Sequence, residues 1–363
     1  MNKFVIPLFL SGSLIVLLGF HRTAWCMNSS ENHANLDSIQ INRQFVSILF
    51  WNVENLYDPL NDSLTLDDEF TYEGVKNWNI SRFMIKINHI AKTIMASGGW
   101  VPVSIVGLCE IENGQVLDWL VNRSILKSRK LEIIHYDSPD ARGVDAAILF
   151  DPVVFKPLSS RTIPVRFPFD TLAKTRDILM VKGLLLSLDT VFLFVNHWPS
   201  RRGGQAQSLT RRTTAGSILR QVVDSLFTNT GNPNIVIMGD FNDEPEDESL
   251  HEALGAKISV ENLVGKELYN LMGIRNLNQR EGTLKFRDQW STFDQFIVSG
   301  YLLDGNCRLV TNSEEVTIVR ENFLMEEDNL YFGKKLRRTY IGPRYSGGFS
   351  DHLPIRIRIR IKK

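Results

Sequence analysis

The sequence predicts one large α/β domain in which β-sheets pack on each other and the functional groups gather at strand ends. Three observations carry this. Short apolar runs rich in β-branched residues outnumber helical patterns, and most of them end in a polar residue. Neither an internal repeat nor a low-complexity linker divides the chain. The 363 residues are 43% hydrophobic and 23% charged, ordinary values for a globular chain with a sizeable core. Formal net charge is zero, and slightly acidic once Lys3 and Arg22 are set aside with the first residues. Any nucleic-acid affinity must therefore come from a local patch.

Lys3 precedes the apolar run Phe4–Phe20, and Ala24-Trp25-Cys26 closes the segment with small residues at the positions a signal peptidase inspects. Residues 1–26 read as a signal peptide. Two fates compete with cleavage: lipidation of Cys26, which the bulky Trp25 disfavours, and retention as an anchor, because the run approaches spanning length. The expectation is an exported protein, periplasmic or secreted, with no stable membrane insertion after signal cleavage. Residues 27–44 are polar and aperiodic and read as a tether, followed by the domain at 45–361.

The domain opens with the strand Phe45–Trp51, which ends at Asn52. A polar, acidic stretch follows to about residue 79. Phe83, Ile87, Ile90 and Ile94 recur at helical spacing over 80–96. Ser104–Cys109 is a second strand, ending at Glu110. Further strands are expected at 146–150, at 184–196 (two, around Asp189-Thr190), and at 234–238, 293–298 and 353–361. Helices are expected at 114–123 and 207–227. Residues 356–362 alternate Arg or Lys with Ile, as an edge strand does to resist aggregation. Of three cysteines, a mature chain keeps Cys109 and Cys307, which is no disulfide framework, and no Cys/His cluster suggests zinc.

The polar strand ends are Asn52, Glu110, Asn196-His197, Asp240 with Asn242, Asp294, and Asp351-His352. Taken singly, each is an ordinary turn residue. Together their carboxylate and amide oxygens suit a hard divalent cation. The two histidines suit proton transfer or donation to a phosphoryl oxygen. The sequence has neither a Gly-rich phosphate loop nor a Gly-x-Ser-x-Gly nucleophile, against a P-loop enzyme and an α/β-hydrolase.

WNVENLYD (51–58), LCEIEN (108–113), NHWPSRRGG (196–204), GDFND (239–243), STFDQFIVS (291–299) and SDHLP (350–354) occur in this order. The set resembles the endonuclease/exonuclease/phosphatase superfamily, which includes deoxyribonuclease I, apurinic/apyrimidinic endonucleases, inositol-polyphosphate phosphatases and bacterial sphingomyelinases. The resemblance covers about residues 45–361. It implies a four-layer α/β/β/α sandwich, two packed mixed β-sheets with helices outside, and hydrolysis of phosphoesters with Mg²⁺, or with Mn²⁺ or Ca²⁺. Glu110 matches the metal-binding glutamate, Asn52 the amide that completes the metal environment, and Asp351 a position that approaches the metal. Asp240 and Asn242 match the pair that positions water and phosphate. His352 matches the histidine near the scissile phosphate, with Asp294 orienting it, and His197 a second phosphate donor. Arg176 resembles the basic residue aimed at the phosphate. Asp145 reads equally as a partner for His197 and as a solvated strand position. Because an Asp294–His352 pair favours imidazolium, Asp240 is the preferred general base.

Substrate is less legible. Arg201, Arg202, Arg211 and Arg212 form a basic cluster that reads either as a backbone-tracking patch or as a solvated helix face with structural salt bridges. Lys334–Tyr340 is a second basic segment, followed by the loop 341–348; it reads either as a substrate wall, with Tyr340 or Tyr345 able to stack on a base, or as an ordinary exposed connection. The acidic stretch Asp58–Glu73 would repel a polyanion. Three hypotheses stand: a secreted Mg²⁺-dependent nuclease on DNA or RNA; a phosphatase or phosphodiesterase on a lipid head group, sugar phosphate or nucleotide; and a binding module without catalysis, which the fully occupied site positions disfavour. No exposed aromatic hairpin for membrane docking is evident. Monomer is the family default.

Overall fold

Alternation along the central strands sorts apolar side chains into two cores, and the cores set the order of the layers. The computed structural model describes residues 44–275 and 281–362; the expected signal peptide and all but the last residue of the tether lie outside them. In chain order the strands are β1 (Phe45–Leu56), β2 (Ile105–Ile111), β3 (Glu132–His135), β4 (Asp145–Phe150) and β5 (Phe155–Ile163). Next come β6 (Ile178–Leu185), β7 (Asp189–His197), β8 (Asn234–Asp240), β9 (Ala256–Lys257) and β10 (Leu268–Asn270). Then follow β11 (Leu284–Phe286), β12 (Gln289–Ser291), β13 (Asp294–Ser299), β14 (Leu309–Val310) and β15 (Val316–Ile318). The last are β16 (Met325–Glu327), β17 (Lys334–Leu336), β18 (Tyr340–Ile341), β19 (Arg344–Tyr345) and β20 (Ile355–Ile361). The helices used below are α1 (Ile80–Ser97), α2 (Gly114–Asn122) and α3 (Gln205–Asn229).

One sheet has the order β14-β20-β1-β2-β4-β3 with β15 also on β20, and the other β5-β6-β7-β8-β13-β10-β9. Both are mixed: β1/β2 and β7/β8 are parallel, while β2/β4 and β8/β13 are antiparallel. In β8, Val236 and Met238 join the core between the sheets, whereas Ile235 and Ile237 join a second core with Ala215, Leu219 and Val223 of α3. β7 splits the same way, Leu193 and Val195 inward, Phe192 and Phe194 outward. Phe83, Ile87 and Ile90 of α1 and Leu117 and Leu120 of α2 pack with the first sheet. The result is the four-layer α/β/β/α sandwich. Gly107 marks the close approach of the sheets: a Cβ there would lie 2.8 Å from Met238 Sδ.

The three helices fall within two residues of their expected spans at each end. The strand expected at 184 begins at Ile178, and the chain reverses at Leu186-Ser187, both with positive φ, rather than at Asp189-Thr190. Lys182 and Gly183 hide the start in the sequence. Lys182 lies over the Phe192 ring, and a Cβ at Gly183 would collide with Phe155 at 2.3 Å. β20 is not an edge strand, because β1 pairs on one side and β14 and β15 on the other. Two of its cations are neutralised from within, Glu315 taking Arg358 at 2.8 Å and Arg360 at 3.3 Å, and Arg356 donates to the Ser97 carbonyl. β5, largely exposed at a sheet edge, has no apolar alternation to announce it.

Candidate active site

Register builds the site. The parallel β7/β8 pair sets His197 opposite Asp240, and the antiparallel β8/β13 pair sets Asp240 opposite Asp294. Three polar side chains thus stand in one row across neighbouring strand ends. On the facing sheet the β1/β2 ladder shifts after Asn52↔Cys109. There Glu54, Asn55 and Glu110 take positive φ of 54°, 57° and 63°. Such a bulge turns a side chain away from the ordinary alternation, and strained backbone of this kind gathers at functional sites. Asn242, at φ 54°, turns the chain directly after β8.

Asp240 is the hub. Its Oδ2 accepts from Asn52 Nδ2 at 3.0 Å, and its Oδ1 accepts from the Asn242 amide at 3.0 Å. His197 Nε2 stands 3.8 Å from Asp240 Oδ2 and 3.8 Å from Glu110 Oε1, and His352 Nε2 stands 3.7 Å from Asp240 Oδ2. His352 Nδ1 is 2.7 Å from Asp294 Oδ2, deep in the protein. Ser350 Oγ fixes this corner by donating to the Asn52 carbonyl and accepting from the His352 amide.

Burial sets the charge states. It pushes Asp240 up to about 7, against the opposing pull of His352 and the Asn52 and Asn242 hydrogen bonds. Burial alone would lower His352, but Asp294 and Asp240 outweigh it and hold the imidazole well above its ordinary value. His197 is driven the other way, by burial first and then by Arg176, Arg142 and His352, so it is neutral at pH 7. Two histidines in one site therefore differ in charge, which separates a cationic donor from a neutral one.

The oxygen donors fit a hard divalent cation. Glu110 Oε2 accepts the Asn55 amide, while Oε1 lies 3.7 Å from Arg142 Nη1 and 3.8 Å from His197 Nε2. Asn52 lies beside it in the ladder, although its Oδ1 also accepts the Glu54 amide. Asp240, Asp294 and His352 each bring a ligand atom to within 4.8 Å of the others. Asp351 is engaged elsewhere: its Oδ2 accepts from Arg338 at 2.8 Å, and Oδ1 is 4.0 Å from His352 Nε2.

The other expected residues fall in several places. Asp145 does not pair with His197. It accepts from Ser138 and lies 3.0 Å from His135 Nε2, because β4 carries it to the β3 side, and His197 Nδ1 is left without a partner among the described residues. Arg176 is buried and donates to the carbonyls of His197 and Trp198 and to Asp140. Asn242 Nδ2 shares that Trp198 carbonyl. Arg201 braces the turn after β8, donating to the Asn242 carbonyl and to Asp243 and Asp247. Arg202 is exposed and makes no ion pair among the described residues. Tyr340 packs into a cluster with Phe70 and Trp78, and half-buried Tyr345 carries Arg82 on its ring.

Arg212 is fully buried, with Nε 2.6 Å from Asp243 Oδ2, and is a structural ion pair rather than a phosphate contact. Arg212→Met leaves the Asp243 charge buried and under-compensated, and is expected to cost about 3–5 kcal/mol in urea unfolding. A loss below about 1 kcal/mol would mean the pair is replaceable by packing.

Several site neighbours escaped the sequence reading. Asp140 and Arg142 come from the β3–β4 connection and bracket Arg176 and Glu110. Glu54 accepts from Arg338 and from the Thr339 amide, and buried Lys86 donates to Thr339 and to the Phe349 carbonyl. Burial raises Glu54 and lowers Lys86 to about 8. Only the WNVEN motif hinted at Glu54; Lys86 sits on an apolar helix face that gave no signal.

The chain matches the Endonuclease/Exonuclease/phosphatase family profile over residues 47–361. No curated protein matches it. Among solved structures, D. rerio TDP2 complexed with single strand DNA product is 16% identical, covering 88% of this chain and 100% of that one, with a TM-score of 0.52. The human Nocturnin catalytic domain with bound sulfate is 16% identical, covering 89% and 99%, with a TM-score of 0.52. The Bacteroides thetaiotaomicron mannosyl-6-phosphatase is 13% identical, covering 86% and 99%, with a TM-score of 0.54. At these identities the likeness establishes a shared fold.

Proposed function

The chain belongs to the endonuclease/exonuclease/phosphatase family and is a metal-dependent phosphoric ester hydrolase; from that premise we propose that it is an exported nuclease cleaving phosphodiester bonds of DNA or RNA. The observation that carries the nuclease reading is the cationic rim beside the site, where Lys174 and Arg202 have no carboxylate partner among the described residues. Free cations next to a phosphoester site suit a substrate that continues as a polyanion.

Asp240, poised near 7, takes the proton of the attacking water. His352, held as imidazolium by Asp294, donates to the phosphoryl oxygens, and neutral His197 supplies a second donor. Asn52 and the Asn242 amide hold Asp240 in place through the hydrogen bonds described above. Glu110, with Asn52, would hold the metal, for which we propose Mg²⁺, and the ion supplies Lewis-acid stabilisation of the phosphoryl charge. Export follows from the N-terminal pattern alone. Among the described residues no helix is long and apolar enough to cross a membrane.

The test is supercoiled plasmid incubated with residues 27–363 and Mg²⁺. Nicking that EDTA abolishes is expected. Intact plasmid and intact single-stranded RNA, beside turnover of bis-(p-nitrophenyl) phosphate, would leave a phosphoesterase that is no nuclease.

A second reading, hydrolysis at a lipid head group, draws on a feature the sequence concealed. Phe286 in the β11–β12 hairpin and Leu330 and Phe332 between β16 and β17 are exposed at 67%, 74% and 91%. The hairpins are tied by the Lys285–Asp328 ion pair, and Leu284 bridges to His352. Aromatic tips of this kind suit insertion between lipid head groups. Retention of the protein by phosphatidylcholine vesicles would favour this reading over the first.

A further inference from the structure

A cavity of about 360 Å³ opens beside the end of β7, between the segment 174–176, the loop after His197 and the first turn of α3. Lys174, Arg176, Arg202 and Arg211 line it, and none of its lining residues is a carboxylate. Resting on the functional reading above, we propose that this cavity is a second phosphate subsite, holding a phosphate of the substrate other than the one being cleaved.

Four features converge on an anion. The Lys174 and Arg202 cations are unpaired among the described residues, whereas Arg211 is shared with Asp170 outside the cavity. Arg176 is buried and fixed, and makes three hydrogen bonds to the protein. A guanidinium has five N–H donors, so roughly two remain. Thr175, also in the wall, is 4% exposed, and its hydroxyl has no partner among the described residues. An orphaned buried hydroxyl is costly unless something binds to it. Finally, Gln207 and Ser208 of the first turn of α3 line the cavity, and Gly204 before them offers no side-chain cap. The positive end of this 25-residue helix is thus left for an anion.

The subsite is coupled to the reacting centre through the backbone. Arg176 donates to the carbonyls of His197 and Trp198, and the same Trp198 carbonyl accepts from Asn242. A phosphate seated here would be held by the segment that positions His197 and the turn after β8. The substrate class this selects carries at least two phosphates, as a neighbouring phosphodiester in a nucleic acid or as a second ester on a small sugar.

The experiment compares the Lys174→Gln/Arg202→Gln double variant with the wild-type mature chain on three substrates: a single-stranded oligonucleotide, a sugar bisphosphate, and bis-(p-nitrophenyl) phosphate, which has one phosphate. kcat/KM on a multiply phosphorylated substrate is expected to fall at least about tenfold further than on the single diester. With the oligonucleotide the salt slope should drop by about 1.4, roughly 0.7 for each lost contact to a single strand. A selective loss on the oligonucleotide assigns the subsite to a neighbouring phosphodiester, and one on the bisphosphate to a small molecule. Equal losses on all three substrates overturn the proposal. Calorimetry with inorganic phosphate in EDTA separates the two readings. If the wild type hydrolyses nothing but binds phosphate about tenfold more tightly than the variant, the functional reading fails and the subsite stands. Phosphate binding indifferent to both substitutions sinks the subsite.

Discussion

Asp240→Asn lowers kcat on any accepted phosphodiester by about 10³–10⁴, while circular dichroism and the unfolding midpoint stay near wild type. The replacement keeps the volume and one of the two acceptor oxygens, so of Asn52 Nδ2 and the Asn242 amide only one keeps its acceptor; the loss of the other is offset by removal of a buried charge, and no carboxylate remains to take a proton. It also removes the negative charge that both histidines face. A loss of 10³ corresponds to about 4 kcal/mol of barrier, within reach of one group acting both as base and as electrostatic anchor. The pH dependence gives a second check. Burial holds Asp240 up to about 7, and a base works only when deprotonated. Wild-type activity at fixed metal should therefore rise through neutrality, and the variant's residual rate should not follow that limb. Retention of more than about a tenth of wild-type kcat would remove Asp240 from the base role.

Asp294→Asn is the next largest, with an expected loss of about 10²–10³ in kcat. Asp294 is fully buried and contacts His352 Nδ1 at 2.7 Å. Its charge is the leading force that raises His352 against burial. Without it the histidine loses its proton at lower pH. If the imidazolium is the active form, activity is present below the His352 pKa and lost above it. The alkaline limb of kcat/KM must then move to lower pH in the variant. An unmoved limb would assign that limb to another group and reduce Asp294 to an orienting role.

The gathering of polar side chains was legible because they sit in short motifs at strand ends, where apolar runs stop abruptly at Asn52, Glu110, His197 and Asp240. What the motifs lack is rotation and partner choice. Arg201, Arg202, Arg211 and Arg212 are equivalent as letters, yet α3 turns Arg212 inward with Ser208, Ala215 and Leu219, while Arg202 stays in solvent. Asp145 lies in a recognisable strand, but the β3/β4 pairing decides that it meets His135. The edge-strand reading of 356–362 failed because alternation reports which face is buried, not how many neighbours a strand has. Exposed Phe286 and Phe332 were invisible for a related reason: an aromatic residue in a turn looks the same whether it packs or projects.

The row of His197, Asp240 and Asp294 sits on neighbouring strands, whose separation is set by peptide hydrogen bonds at about 4.8 Å. The yardstick for this row of side chains is therefore the amide group itself, the same in every sheet. Connections leading away from these strands are released from keeping that distance, so whole segments such as the β11–β12 hairpin could be exchanged to suit another alcohol while the hydrolytic step is retained. A one-residue slip of β8 against its neighbours would be a different matter, since it turns Asp240 to the opposite face. Substrate choice in this architecture is free to drift; strand register is not.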